Sequence, residues 1–332
     1  MNRLAVVGAG SWGTALALVL APKFERIRLW VYEPDLAVRM ADTRENDLYL
    51  PGFRLPENIE ITGSVASAVE GAEIVVSAVP SQFVRPVYRQ MLSALTPETL
   101  FVSATKGIEN ESLALPSEVI AEVVTPTFPA RIAVLSGPSF AREVAALAPT
   151  AIVIASEDEG VSQCIQTSFS GPSLRLYTSS DPKGVEIGGS IKNVIAIAAG
   201  VVHGLGLGCN ALAALVTRGL AEMTRLAVAL GGKPQTLAGL AGLGDLVLTC
   251  TGDLSRNRAV GVELAMGRGL GEILGSMRMI AEGVKTTTSA WELASRHSIE
   301  MPITEQMYQM LYYDLPPREA VRRLMERALR PE

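Results

Sequence analysis

Short apolar runs alternate with segments of helix length through the first half of this chain. Leu4–Val7, Ile27–Val31, Ile74–Val79, Leu100–Ala104, Ile132–Leu135 and Ala151–Ala155 are mostly apolar. Continuous apolar runs of this length are what a strand covered on both faces requires. Trp12–Leu20, alanine-rich and apolar, predicts a helix after the first strand. Strands alternating with helices predict βαβ units and a mostly parallel sheet. After YTSSDPKG the β-branched runs stop, and the chain reads as helix nearly to its end. Gly231–Gly232 and Gly242–Gly244 are expected to break helices, and Met307–Tyr313 and Arg318–Leu329 are amphipathic. The change of texture falls at Gly184–Gly189 and predicts a sheet domain over residues 1–185 and an all-helical domain over 186–332. Val194–Leu220 is long and apolar, but Lys192, Asn193, His203, Asn210 and Arg218 lie on or beside it. It is expected to be a buried helical core, with no stable membrane insertion.

Composition fits that division. At 332 residues, 48% hydrophobic and 19% charged, the chain can bury two cores of ordinary size. A net charge of −5 argues against nucleic acid or an anionic membrane surface as the main partner. The three cysteines, Cys164, Cys209 and Cys250, are widely spaced and form no CxxC pair, which supports neither a disulfide framework nor a metal site. They are expected to be buried, inert thiols in a cytoplasmic protein. The strand-like LAVV follows the short polar start directly, so no secretory signal is expected.

The opening MNRLAVVGAGSWGTALALVLA places Gly8, Gly10 and Gly13 between a strand and a helix. In this context Gly8 permits a tight turn, Gly10 lets backbone approach a pyrophosphate, and Gly13 lets the helix pack on the strand. The helix start adds free N–H groups and a positive dipole end. Glu33, in WVYEP, lies about 20 residues beyond the last glycine, where an acid commonly holds the adenosine ribose. The bland alternative is a structural turn with a solvated acid. The two features together point to a Rossmann-type dinucleotide site. Glu33 favours NAD, since a carboxylate repels a 2′-phosphate, whereas Arg39 and Arg44 follow shortly and could counter it.

A nicotinamide enzyme also needs a group that moves the hydroxyl proton. The two histidines, His203 and His297, have no acid at a telling spacing, and no tyrosine has a lysine four residues on. Zinc ligands are lacking, and no metal is expected. Lys192, in GGSIKNVIAIAAG, opens a strongly apolar segment where lost hydration should lower its pKa. A lysine snorkelling to solvent is the alternative reading. Asn193 beside it could orient a substrate oxygen. Lys106 in ATKGIE follows a strand, where ligands of open α/β sheets bind. SGPSFARE, from Ser136 to Glu143, also follows a strand and offers backbone N–H groups at a helix start. SRNR, at Ser255–Arg258, could grip a phosphate. Asp245, a lone acid in the apolar GLAGLGDLVLTCTG, needs a partner if buried, and an active-site lysine is a natural one.

These motifs, with TRGLAEMTRL, AEGVKTT and EMPITEQ, resemble in order and over nearly the whole chain the bacterial NAD(P)-dependent glycerol-3-phosphate dehydrogenase family. The resemblance implies reduction of dihydroxyacetone phosphate to sn-glycerol 3-phosphate, a phospholipid precursor, with NAD(H) or NADP(H), by a homodimer. It implies that Lys192 is the catalytic proton donor and acceptor. It implies substrate contacts from Lys106, Gly137, Ser139, Lys192, Asn193, Asp245, Thr249, Ser255, Arg256 and Asn257. Beside the glycines and Glu33, it places Ser11, Trp12, Tyr32, Tyr49, Lys106, Ala141, Arg256, Ile280 and Glu282 near the cofactor. GVVHGLGLG departs mildly from the family, with His203 where members often carry an acid. Dehydrogenases of a β-hydroxy acid or of 6-phosphogluconate share the two-domain plan and a lysine. A dinucleotide sensor without turnover, or a structural protein that binds no nucleotide, is a further alternative.

Overall fold

The computed structural model describes residues 1–277 and 281–329. The described residues form ten strands: β1 (Arg3–Val7), β2 (Arg26–Trp30), β3 (Glu45–Asn46), β4 (Leu50–Arg54), β5 (Ile59–Thr62), β6 (Ile74–Ser77), β7 (Leu100–Ser103), β8 (Arg131–Ser136), β9 (Thr150–Ala155) and β10 (Leu174–Ser179). Eight of them make one sheet in the order β10-β9-β8-β7-β6-β1-β2-β5, and β3 pairs with β4 beside it. All pairs in the large sheet are parallel except β8–β9. The short helix Ala141–Ala145 after β8 packs on the helix Ser11–Leu20. That helix starts at the carboxyl ends of the strands, so the chain re-enters the sheet from the end it left, and β9 runs antiparallel.

The six predicted runs are strands β1, β2, β6, β7, β8 and β9, with ends within about two residues. On β1 the side chains alternate between two cores. Leu4 and Val6 join one with Leu16, Leu20 and Ile27, while Ala5 and Val7 join the other with Tyr88 and Phe101. Each such burial stabilises by roughly 1.5–3 kcal/mol, which holds the central strands rigidly under the loops at their ends. The strands absent from the sequence reading are the half-exposed ones. LRLYTS of β10 and IEIT of β5 alternate in burial as sheet edges, without continuous apolar runs.

The remainder is helical and is organised by one helix, Pro182–Gly204. Asp181 caps it by accepting from Gly184 N at 2.9 Å, and its other oxygen accepts from Lys233 N at 2.8 Å and Thr236 Oγ1 at 2.6 Å. It is long and apolar enough to cross a membrane, yet its most apolar window is 100% buried by the surrounding protein. Helices Gly208–Ala229, Asp245–Thr251, Arg256–Ala265 and Glu282–Arg296 pack around it. The run Val194–Leu220 is therefore two helices, broken where Gly206 and Gly208 take φ of +68° and +82°.

Gly242–Gly244 is no break: Leu240–Gly244 is a π-helical turn that runs into Asp245–Thr251. Gly242 is there for proximity, because a Cβ would lie 2.0 Å from Leu237 O. The cysteines are not all buried. Cys250 is, Cys164 is half-buried, and Cys209 is exposed in the first turn of Gly208–Ala229, which faces solvent.

The central helix meets its neighbours backbone to backbone. A Cβ on Gly261 would stand 1.9 Å from Ile197 O, and one on Gly200 would stand 2.0 Å from Arg258 O. Gly261→Ala is expected to destabilise the fold by about 1–3 kcal/mol, read as a lower urea midpoint with an unchanged m-value.

Candidate active site

The glycine turn is built as its spacing requires. Gly8 has a φ of +110°, and a Cβ there would press on the Ala78 backbone at 3.0 Å. A Cβ on Gly13 would lie 1.9 Å from Gly8 O, so only glycine lets the helix start this close to the strand. Beside Gly10 a Cβ would meet nothing within 4 Å. The helix Ser11–Leu20 that follows has no side-chain cap hydrogen bond at Gly10, and a helix start is where an anion is readily held. The indole Nε1 of Trp12 is buried with no hydrogen-bond partner among the described residues. An open backbone approach and an orphan donor at a helix start fit a dinucleotide.

Asn46 fastens this turn, and the sequence did not disclose it. Its Nδ2 donates to Ala9 O and to Thr14 Oγ1, each at 2.8 Å, and its Oδ1 accepts from Tyr49 N at 3.0 Å. A buried asparagine in the two-residue strand β3 has no periodicity to mark it, so no pattern could have found it. At the end of β2, Tyr49 Oη donates to Glu33 Oε1 at 2.6 Å. Burial, and then this bond to a carboxylate, push the Tyr49 phenol up to about 12. Tyr32 stands exposed, its ring edge-on to Trp30.

The second cluster forms where the sheet meets the central helix. The loop after β7 turns through Gly107, whose N–H donates to Ser190 Oγ at 2.9 Å while that hydroxyl donates back to Gly107 O at 3.0 Å. This carries Lys106 over the helix, where its Nζ donates to Asp245 Oδ2 at 2.9 Å. Lys192 donates to the other oxygen, Oδ1, and to Thr249 Oγ1 at 2.9 Å. Thr249 Oγ1 in turn donates to Asp245 O at 2.6 Å. Asp245 is 0% exposed and Lys192 5%, so the lysine does not snorkel to solvent. Burial holds the Lys192 ammonium well below its ordinary pKa. Asp245 opposes that shift, and the second cation, Lys106, adds to it.

The remaining predicted residues surround this cluster. Ser255 caps the helix Arg256–Ala265 by accepting from Arg258 N at 3.2 Å, which places Arg256 and Asn257 in the first turn. Asn257 Nδ2 donates to Asn193 Oδ1 at 3.0 Å, and its Oδ1 accepts from Gly283 N at 3.0 Å. Those two amides brace three helices together. Glu282 sits beside them, its carboxyl raised by burial and pulled back by Arg256, Lys106 and Lys192. Gly137 takes a φ of +144° against Ile152, and Ser139 Oγ donates to Gly137 O at 2.9 Å. In the same loop Pro138 and Phe140 lie against Gly244 and Gly252, and Ala141 opens the following helix. Ile280 lies outside the described residues. His203 and His297 are exposed. Among the described residues no group of histidine, cysteine and acids is arranged to hold a metal.

A glycine turn at the carboxyl ends of a parallel sheet, and a desolvated lysine held on a carboxylate where the sheet meets the central helix, mark a nicotinamide-dinucleotide dehydrogenase. The comparisons name the family. Residues 3–162 match the N-terminus, and residues 181–322 the C-terminus, of NAD-dependent glycerol-3-phosphate dehydrogenase. A relative from Geobacter sp. (strain M21), named glycerol-3-phosphate dehydrogenase [NAD(P)+], is 57% identical over 100% of this chain and 99% of its own. One of the same name from Koribacter versatilis is 54% identical over 98% of each chain. The crystal structure of glycerol-3-phosphate dehydrogenase from Coxiella burnetii superposes with a TM-score of 0.94, at 43% identity, over 98% of this chain and 99% of that one. The chain belongs to the NAD(P)-dependent glycerol-3-phosphate dehydrogenase family. The hydroxy-acid, 6-phosphogluconate, sensor and structural alternatives are set aside by these matches.

Asp245 is the group that keeps Lys192 charged against its burial. Asp245→Asn is expected to move the Lys192 titration to still lower pH, observed by NMR of isotopically labelled lysine side chains. An unmoved titration would show that the carboxylate does not govern the ammonium.

Proposed function

We propose that this chain reduces dihydroxyacetone phosphate to sn-glycerol 3-phosphate for phospholipid synthesis, with Lys192 as the proton donor. The observation that carries the reading is the buried Lys192–Asp245–Lys106 cluster beside the capped start of Arg256–Ala265. NAD(H) or NADP(H), when bound, supplies or accepts the hydride. Gly8, Gly10, Ser11, Trp12 and Gly13 hold its phosphates, and Glu33 with Tyr32 and Tyr49 its adenosine. Ala141, Arg256, Glu282 and Lys106 complete its surroundings.

The chain's own work is positioning and proton transfer. Arg256 and the free N–H groups of the first turn grip the substrate phosphate, with Ser255 and Asn257 fixing that turn. Gly137 and Ser139, in the loop after β8, complete the substrate contacts. As negative charge grows on the carbonyl oxygen, Lys192 stabilises it and delivers its proton, with Lys106 as a second positive group. Asp245 and Thr249 hold the Lys192 ammonium in line, and Asn193 braces the helix that carries it. Three cations, Lys106, Lys192 and Arg256, outweigh the two acids Asp245 and Glu282, which suits a phosphorylated substrate.

The same reading takes the sheet region, 1–185, as the nucleotide domain and the helical region, 186–332, as the substrate domain. It also takes the protein as a cytoplasmic homodimer that does not insert stably into membranes.

Lys192→Ala is expected to lose about 10²–10⁴-fold in turnover while binding NADH normally by fluorescence titration. Near-normal turnover removes Lys192 from its role. The wild-type pH profiles carry a sign. Ketone reduction needs the protonated lysine, whose pKa is lowered, so reduction slows as pH rises through that value. The reverse oxidation needs the neutral amine and rises over the same range.

A further inference from the structure

The two arginines that could offset Glu33 are both occupied. Arg39 is held by Asp47 in a two-pronged pair, Nε to Oδ2 and Nη2 to Oδ1, each at 3.2 Å. Arg44 sits just past the helix Pro34–Thr43 in left-handed backbone, φ 57°. Its Nη2 donates to Pro56 O and, at 2.9 Å, to Ile59 O, which turns the guanidinium toward β5. The segment after β2 carries Glu33, Asp35 and Asp47 with Arg39 among them, while the Arg44 guanidinium is drawn away toward β5. Asp47 competes with any new anion for Arg39 in this solvent-exposed pair. Glu33 itself is fixed, because Tyr49 Oη donates to Oε1 at 2.6 Å. That phenol keeps its proton to about pH 12, so it remains a donor throughout the working range. The second carboxylate oxygen, Oε2, stays available to a hydroxyl donor.

We propose that this chain selects NADH over NADPH, and that Glu33, oriented by Tyr49, is the residue that decides it. The inference rests on the nicotinamide-dependent reading above and narrows it to one coenzyme. An adenosine ribose carrying a free 2′-hydroxyl donates to the carboxylate. One carrying a 2′-phosphate brings about two negative charges against it, with Asp47 already competing for Arg39 and the Arg44 guanidinium turned toward β5. A charge-assisted hydrogen bond gained by one coenzyme and lost by the other corresponds to about 10- to 100-fold in kcat/KM.

The test is turnover of dihydroxyacetone phosphate with each coenzyme, in wild type, Glu33→Gln, Tyr49→Phe and Arg39→Ala. The wild type is expected to favour NADH at least about tenfold. Glu33→Gln keeps the shape, removes the charge, and is expected to raise kcat/KM for NADPH while lowering it for NADH. A gain with NADPH cannot come from poor folding. Tyr49→Phe is expected to raise the KM for NADH a few-fold at unchanged kcat, and Arg39→Ala to leave the coenzyme ratio as it was. Equal or better use of NADPH by the wild type overturns the proposal, as does an unchanged ratio in Glu33→Gln. Loss of NADPH turnover in Arg39→Ala overturns it too, by showing that Arg39 serves a 2′-phosphate after all. If neither coenzyme is oxidised with this ketone, the proposed reaction fails rather than the selectivity. Fluorescence titration of the same variants with each coenzyme then decides the selectivity alone.

Discussion

One buried carboxylate holds the two halves of the molecule to a common centre. Asp245 has no exposure, and its two oxygens take ammonium groups from different regions: Lys106 from the loop after β7, and Lys192 from the central helix. A buried acid without partners is very costly, and removing one partner of a buried pair typically costs about 3–5 kcal/mol. The sheet region and the helical region therefore cannot separate at this point without exposing or orphaning charge. The same constraint creates the chemistry. Two cations share one anion, so the cluster keeps net positive character, and burial lowers the Lys192 pKa toward a value from which it can give up a proton.

The surrounding architecture serves that placement. The central helix is clasped through glycines at positions 188, 200, 261 and 283, where a Cβ would strike a neighbour's backbone at 2.6 Å or less. Backbone contact this close leaves little freedom for Lys192 or Asn193 to shift. The π-helical turn Leu240–Gly244 ends directly at Asp245, and Gly188 lies against that turn. On the sheet side, Gly107 and Ser190 exchange two hydrogen bonds that fix the reach of Lys106. Rigid supports of this kind are what proton transfer and in-line hydride delivery require.

The parts of this design that could be read from the chain alone were those with a period or a spacing. Buried parallel strands show as unbroken apolar runs, and the glycine turn shows as a strand, three glycines and a helix. Lys192 stood out as a charge in an apolar helix, and Asp245 as an acid in want of a partner. What stayed hidden had no local signature. Asn46 grips the glycine turn from β3, more than thirty residues away in sequence, and only the fold reveals that it is buried. The glycines Gly242–Gly244 looked like a stop because glycine ends helices and also lets helices approach, and sequence does not separate the two uses. The edge strands β5 and β10 alternate in burial, so a search for continuous apolar runs passes over them. The engagement of Arg39 and Arg44 was likewise invisible, since it depends on where Asp47, Pro56 and Ile59 fold back.

The central claim is that a positive, buried cluster organised by Asp245 turns over a small ketone that carries a phosphate. The most direct measurement is oxidation of reduced nicotinamide coenzyme by the purified protein, with dihydroxyacetone phosphate and separately with unphosphorylated dihydroxyacetone. The account predicts rapid oxidation with the phosphate ester and very little with the free ketone. Equal rates with both would contradict the phosphate grip at Arg256, and no oxidation with either, by folded protein that binds the coenzyme, would contradict the reaction itself.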